Sequence, residues 1–156
     1  MAATINTNVL IIGAGPAGTS TALFLAKQGI ASTIIDKATF PRDKICGDAL
    51  SGKVVEVLNK LDKSLAMELA TDNHYLGSWG VTFVAPNLEA LRVPFTTKAE
   101  KKNAPGFIAK RIDFDNWLVE KAKANPLVTL LEDCEVRSYT RNENGITAEA
   151  KDGTTI

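Results

Sequence analysis

Asn8-Val9-Leu10-Ile11-Ile12-Gly13-Ala14-Gly15-Pro16-Ala17-Gly18 stands almost at the start of the chain, and its reading decides the fold. Val9 to Ile12 is continuous apolar sequence, with no polar alternation. That is how a central strand of a parallel sheet reads, covered on both faces. The three glycines follow at once. A helical pattern then runs from Pro16 to Gln28, with Ala22, Leu23, Leu25 and Ala26 facing inward. Pro16 sits in the first turn, where its missing N–H costs nothing, and Gly29 supplies a stop. A second apolar strand, Ser32 to Asp36, completes a βαβ unit.

A lone G-x-G-x-x-G is a weak signal, but here it lies between a strand and a helix. Gly13 permits the tight turn, Gly15 lets a pyrophosphate approach the backbone, and Gly18 allows close helix–strand packing. Free N–H groups and the positive end of the helix dipole then face a diphosphate. Asp36 ends the second strand at about the 20-residue spacing expected for an acid that accepts hydrogen bonds from a ribose. An acid there disfavours a 2′-phosphate, and with it NADP. The alternative, a tight turn with a strand-capping acid, leaves this agreement of four features unexplained. The fingerprint does not separate FAD from NAD.

Away from this unit the composition is that of a globular protein. The 156 residues carry 18 Lys+Arg against 18 Asp+Glu, a formal charge of zero, with 45% hydrophobic and 23% charged residues. Zero net charge gives no electrostatic ground for a nucleic acid partner. Lys98, Lys101 and Lys102 cluster, but Glu100 interrupts them and no aromatic interleaves, so they read as a solvated loop. Cys46 and Cys134 lack any Cys-x-x-Cys spacing, which argues against a metal site and leaves a disulfide open. Met1 to Asn8 has no secretory pattern, and no apolar run approaches ~18 residues. The expectation is a soluble, cytoplasmic protein. Composition is blind to peripheral membrane contact of a longer protein, and to oligomeric state.

Beyond the βαβ unit, a polar loop spans Lys37 to Asp48, and helices are expected over Ser51–Leu61 and Lys63–Ala70. From Trp79 the pattern becomes extended. Trp79–Val84 and Glu89–Pro94 read as two strands of a different sheet, joined through Pro86 and Asn87, with Phe107–Lys110 as a third. A helix follows from Asp113 to about Ala124, with Phe114, Trp117, Leu118 and Ala122 inward. Leu127–Leu131 returns as a strand, and Cys134–Thr140 pairs with Ile146–Ala150 across a turn at 142–145. Asp152-Gly153 is a hairpin signal with only Thr154, Thr155 and Ile156 after it. With about three parallel strands, the sheet looks unfinished, and the expectation is the N-terminal part of something longer. The fold class is α/β: a Rossmann-like, three-layer nucleotide-binding fold with the start of a mixed β-sheet substrate domain. The expected division is 1–75, 76–110 and 111–156, the last returning to the nucleotide-binding domain.

Two further segments narrow the reading. Phe40-Pro41-Arg42-Asp43-Lys44-Ile45-Cys46-Gly47-Asp48 follows the second strand, and Arg111-Ile112-Asp113-Phe114-Asp115 opens the later helix. With Gly13-x-Gly15-Pro16-Ala17-Gly18, these resemble the geranylgeranyl reductase family of FAD-dependent oxidoreductases, within the para-hydroxybenzoate hydroxylase-like group. The Lys-x-Cys-Gly-Asp element is the most specific of the three. The resemblance covers nearly the whole chain and is weakest between Asn59 and Ala104. It implies FAD as cofactor. Gly13, Gly15, Ala17 and Gly18 would hold the diphosphate and Asp36 the adenosine ribose, with Pro16, Lys37 and Arg42 also at the cofactor. Cys46, Gly47 and Asp48 would line the flavin end, with Cys46 the candidate catalytic residue. Arg111 would reach the ribityl-phosphate region, and the backbone around Val136 the adenine.

Residue chemistry alone leaves several of these open. Cys46 is also a small residue suited to packing. Arg42 and Lys44 are equally readable as solvated charges, and Arg111 as a partner of Asp113 or Asp115. His74, in a polar loop beside Asp72 and Asn73, reads as surface. The late Gly-Asp-Ala segment of the family is absent from these residues, so the chain by itself is expected to be inactive and to bind FAD weakly. The resemblance implies a reductase acting on carbon–carbon double bonds of an apolar, isoprenoid-like small molecule, with NAD(P)H as electron donor. The alternatives are a flavin monooxygenase or halogenase of the same fold, although no Trp-x-x-Trp-x-Ile-type segment is visible, and a non-catalytic dinucleotide-binding module.

Overall fold

The computed structural model describes residues 4–95, 103–143 and 145–156. In chain order the elements are β1 (Leu10–Ile12), α1 (Pro16–Lys27), β2 (Ser32–Ile35), β3 (Ala49–Leu50), α2 (Gly52–Leu61), α3 (Lys63–Thr71) and β4 (Leu76–Ser78). They continue with β5 (Gly80–Val84), β6 (Ala90–Pro94), β7 (Gly106–Ile108), α4 (Arg111–Lys123), β8 (Val128–Leu131), β9 (Val136–Asn142) and β10 (Gly145–Ala150). Two compact units form, Met1–Lys44 with Ile112–Ile156, and Ile45–Arg111. Lys98, Lys101 and Lys102 lie outside the described residues.

In the first unit β1, β2 and β8 make a parallel sheet in the order β1-β2-β8. Successive strand residues point to opposite faces, and the core divides accordingly. Ile34 packs with Ala22 and Ala26 of α1, Val119 and Ala122 of α4, and Val128; Ile11 and Leu130 join that side. Ile35, one residue on, packs with Cys134, Ala150 and Ile156, joined by Leu10, Leu131 and Val136. Helices therefore cover one face and the β9–β10 hairpin the other, which is the expected three-layer arrangement. Covering both faces explains why every residue of β2 is buried.

That arrangement corrects the strand order inferred from Val9–Ile12. Among the described residues β1 pairs only with β2, and Ile12 is 61% exposed, so β2 rather than β1 is central. Apolar continuity reports burial of the faces and says nothing about which edge is paired. The turn signalled by Asp152-Gly153 forms, with Gly153 N–H donating to Ala150 O at 3.0 Å, but the expectation that no strand returns from it is corrected. The last residues do return: Ile156 N–H donates to Ala148 O at 2.9 Å, Ala148 N–H donates back at 2.7 Å, and Ile5 N–H donates to Thr155 O at 2.8 Å. Ile156 is buried as a result.

In the second unit β7 lies between β3 and β4 in an antiparallel sheet, and β5 and β6 form a separate two-stranded sheet. The segment expected as a third strand beside β5 and β6 is β7, but its partners are β3 and β4. Helix α2 packs on β3, β7 and α3, burying Leu58, Leu61, Leu65, Ala66 and Leu69. A Cβ on Gly52 would stand 2.9 Å from Pro105 O, so this helix start is fitted closely to the chain leading into β7. The helices expected to belong with the nucleotide-binding unit up to residue 75 thus side with the second unit.

Candidate functional site

The Gly13–Gly18 loop joins β1 to α1 in the first unit, and each glycine meets a different requirement. Gly13 has φ +105°, a region that L side chains rarely adopt, and its N–H donates to Ile35 O at 2.7 Å. A Cβ on Gly18 would collide with the Gly13 carbonyl oxygen and sit 3.2 Å from Ile11 Cγ2, so only glycine lets α1 lie this close to β1. A Cβ on Gly15 would meet nothing but Arg42 Nη2, at 3.5 Å. No protein atom forces glycine there, and the space beside its backbone is open. Gly15 is the N-cap of α1, Pro16 begins it, and no side chain caps it, so the first-turn N–H groups of Ala17 and Gly18 face outward from an uncapped helix end. Thr19, not singled out in the sequence, is fully buried and returns its hydroxyl to Gly15 O at 3.0 Å.

Asp36 lies just past β2 and is bound into the loop. Its Oδ2 accepts from Ala14 N–H at 2.7 Å and its Oδ1 from Ala38 N–H at 2.8 Å. Its own N–H donates to Leu131 O, and its carbonyl accepts from Cys134 N–H. A carboxylate has about four lone-pair sites, so two backbone donors leave capacity for ribose hydroxyls. The acid therefore serves the glycine turn as well as any ligand, a role the spacing did not reveal.

Arg42 is not a solvated loop charge. Nη1 donates to Asp115 Oδ2 at 3.0 Å, and Cζ stands 4.9 Å from the centroid of the Phe40 ring. Its other terminal nitrogen is the one beside Gly15. The loop is secured further by Phe40 N–H donating to Glu132 Oε1 at 2.8 Å, with Lys123 Nζ at 3.1 Å from Glu132 Oε2. Lys37 and Lys44 are exposed. Val136 starts β9, is half-buried and pairs with Ala150. Asp115 is the residue sequence reasoning missed as Arg42's partner. The signal was present: an acid at position 115 shares one helical face with Leu118 and Ala122, where an apolar residue is expected.

The second unit gathers Cys46, Gly47, Asp48 and Arg111. Cys46 is exposed, so it is not a packing residue. The Arg111 side chain hydrogen-bonds its sulfur and, with the Asp48 and Gly47 backbone, holds the thiol below its ordinary pKa. Asp48 adopts φ +51°, and its carbonyl accepts from Ala109 N–H at 2.8 Å, anchoring the loop beside β7. A Cβ on Gly47 meets nothing within 4 Å. Cys134 is buried in the first unit, where burial, then Asp152 and Asp133, push its thiol up. Both cysteines are free. His74 is exposed, as expected, with Nδ1 2.7 Å from Asp72 Oδ1.

Fold and loop together define a nucleotide-binding domain of flavoprotein type. The chain belongs to the FAD binding domain family, which matches residues 6–155. It is similar to the menaquinone reductase of Mycobacterium tuberculosis, 48% identical over 54 residues covering 35% of this chain and 13% of that protein. It is 31% identical over 123 residues to a tryptophan 2-halogenase of Chondromyces crocatus, covering 77% of this chain and 22% of the halogenase. The crystal structure of p-nitrophenol 4-monooxygenase from Pseudomonas putida superposes with a TM-score of 0.79 at 18% identity, over 99% of this chain and 38% of that one, a likeness of fold. The chain thus spans well under half the length of each.

The residues present fit FAD. The space at Gly15, the uncapped α1 terminus and the Arg42 guanidinium provide donors and positive potential for a diphosphate, and Asp36 provides acceptors for a ribose.

Proposed function

We propose that the full-length protein is an FAD-dependent reductase of the geranylgeranyl reductase type, acting on a carbon–carbon double bond of an isoprenoid-bearing small molecule with NAD(P)H as electron donor. The single observation that carries this reading is the Pro41-Arg42-x-Lys44-x-Cys46-Gly47-Asp48 loop, which a plain dinucleotide fingerprint does not require. The similarity to a menaquinone reductase supports it. FAD, when bound, supplies hydride transfer; the protein supplies binding, orientation and exclusion of water. In this reading Gly13, Gly15, Pro16, Ala17 and Gly18 cradle the diphosphate, Asp36 holds the adenosine ribose with Lys37 nearby, and the backbone around Val136 borders the adenine. Gly47 and Asp48 present backbone to the flavin end, Cys46 offers its sulfur there, and Arg111 holds that thiol below its ordinary pKa while reaching the ribityl phosphate.

A flavin monooxygenase or halogenase is the second reading, favoured by the halogenase similarity over most of the chain. Incubating the full-length protein with NAD(P)H and an isoprenoid quinone, with and without oxygen, separates the two. The reductase reading expects anaerobic product lacking one double bond. Oxygen uptake matched to a hydroxylated or halogenated product would overturn it.

A further inference from the structure

We infer that Asp115 is a positioning residue for the cofactor diphosphate, acting through Arg42. The inference rests on the reading of the Gly13–Gly18 loop as an FAD cradle. Asp115 is 0% exposed, on the buried face of α4, and its Oδ2 lies 3.0 Å from Arg42 Nη1. A carboxylate at such depth is costly to bury unless it is paired and hydrogen-bonded. The pairing also fixes Arg42 in a way that a surface carboxylate would not. Nη1 is held by Asp115, the guanidinium plane is set over the Phe40 ring at 4.9 Å, and Phe40 is itself buried. With two constraints on one planar fork, the remaining donors have little freedom. Nη2 then stands 3.5 Å from the point a Gly15 Cβ would occupy, at the open position of the loop. Helix α4, through Asp115, thereby holds the Arg42 guanidinium of the loop after β2 beside the N-terminus of α1. The arrangement favours an anion with more than one oxygen, since one guanidinium nitrogen and the first-turn amides of α1 converge on the same space.

The test is a double-mutant cycle on the full-length protein, stripped of flavin, with the FAD dissociation constant read by calorimetry and the apo melting temperature recorded alongside. Arg42→Gln should weaken FAD binding about tenfold or more, the loss expected of a charged hydrogen-bond donor. Asp115→Asn should weaken it several-fold, and should add little once Arg42→Gln is in place. Asp115→Glu, which keeps the charge and shifts the carboxylate by one methylene, gives the same reading if Asp115→Asn does not fold. A merely structural Asp115 lowers the melting temperature but leaves FAD affinity within twofold of wild type, or loses the same factor in both Arg42 backgrounds. Either result overturns the inference. Wild-type protein that binds no FAD overturns the cradle as well, so the two failures are distinguishable.

Discussion

A methyl group added at Gly15 and one added at Gly18 have opposite consequences, although both positions belong to the same motif. At Gly18 the new Cβ runs into the Gly13 carbonyl, so Gly18→Ala must push α1 off β1. Overpacking of this kind costs about 1–3 kcal/mol. At Gly15 the backbone already has φ −70°, which alanine adopts without strain. Losing a glycine N-cap and reducing the freedom of the unfolded chain work against each other, each by up to about 1 kcal/mol. Gly15→Ala should therefore leave the melting temperature nearly unchanged while weakening FAD binding more than tenfold, because the methyl takes the diphosphate's space. Thermal melts and FAD titrations of both variants check this; equal affinity in Gly15→Ala would contradict it. Cys46 supplies a second residue-scale expectation. Its thiolate is stabilised by Arg111, so iodoacetamide should label it at pH values below those needed for an ordinary thiol. Arg111→Met should move the labelling profile up, and buried Cys134 should stay unlabelled in the native protein. The folded pKa lies below the unfolded one, so the linked stability is complete above the unfolded value and is lost as pH falls through the folded value. A Cys46 profile matching free cysteine would contradict the Arg111 contact. At this scale the sequence told much about Gly13, Gly15, Gly18 and Asp36, whose spacing is tied to a local turn. It told little about Asp115, whose meaning depends on Arg42 arriving from a distant loop.

Helix α1 begins at the Gly13–Gly18 turn proposed to face the diphosphate, and its seat on the sheet is made of small residues. Ala22 is fully buried and Ala26 nearly so, against Ile34 and the α4 residues Val119 and Ala122. Ala22→Leu should cost about 1–3 kcal/mol in denaturant unfolding and displace the N-terminal turn of α1. FAD affinity should then fall together with stability, unlike in Gly15→Ala; unaltered stability would refute the close packing. Elements of this kind were legible. The βαβ unit, α2, α3, α4 and the β9–β10 hairpin announce themselves by periodicity, glycine stops and turn residues. Strands β3 and β4 did not, because two or three residues carry no periodicity. The partners of β7 and the edge position of β1 were equally hidden, since pairing is decided by tertiary packing and apolar runs look alike in centre and edge.

At the scale of the whole molecule the exposed apolar surface has consequences of its own. On β5 and β6 the register places Val81 opposite Val93 and Phe83 opposite Leu91, so these side chains share one face of an isolated two-stranded sheet. Phe83 and Leu91 are exposed, as are Ile12, Tyr139 and Ile146 in the first unit. Patches of this type associate. The 156-residue chain alone should therefore sediment as a concentration-dependent mixture of oligomers, and Phe83→Lys with Leu91→Glu should reduce it; a monomer at all concentrations would contradict the prediction. No helix among the described residues is long and apolar enough to cross a membrane. The central claim, that this chain builds an FAD cradle on a Gly-x-Gly-x-x-Gly turn, is tested most directly by denaturing the purified full-length protein and identifying what it releases. The account predicts close to one equivalent of FAD per chain, and a smaller share in Gly15→Ala. A colourless protein that retains NADH instead would contradict it.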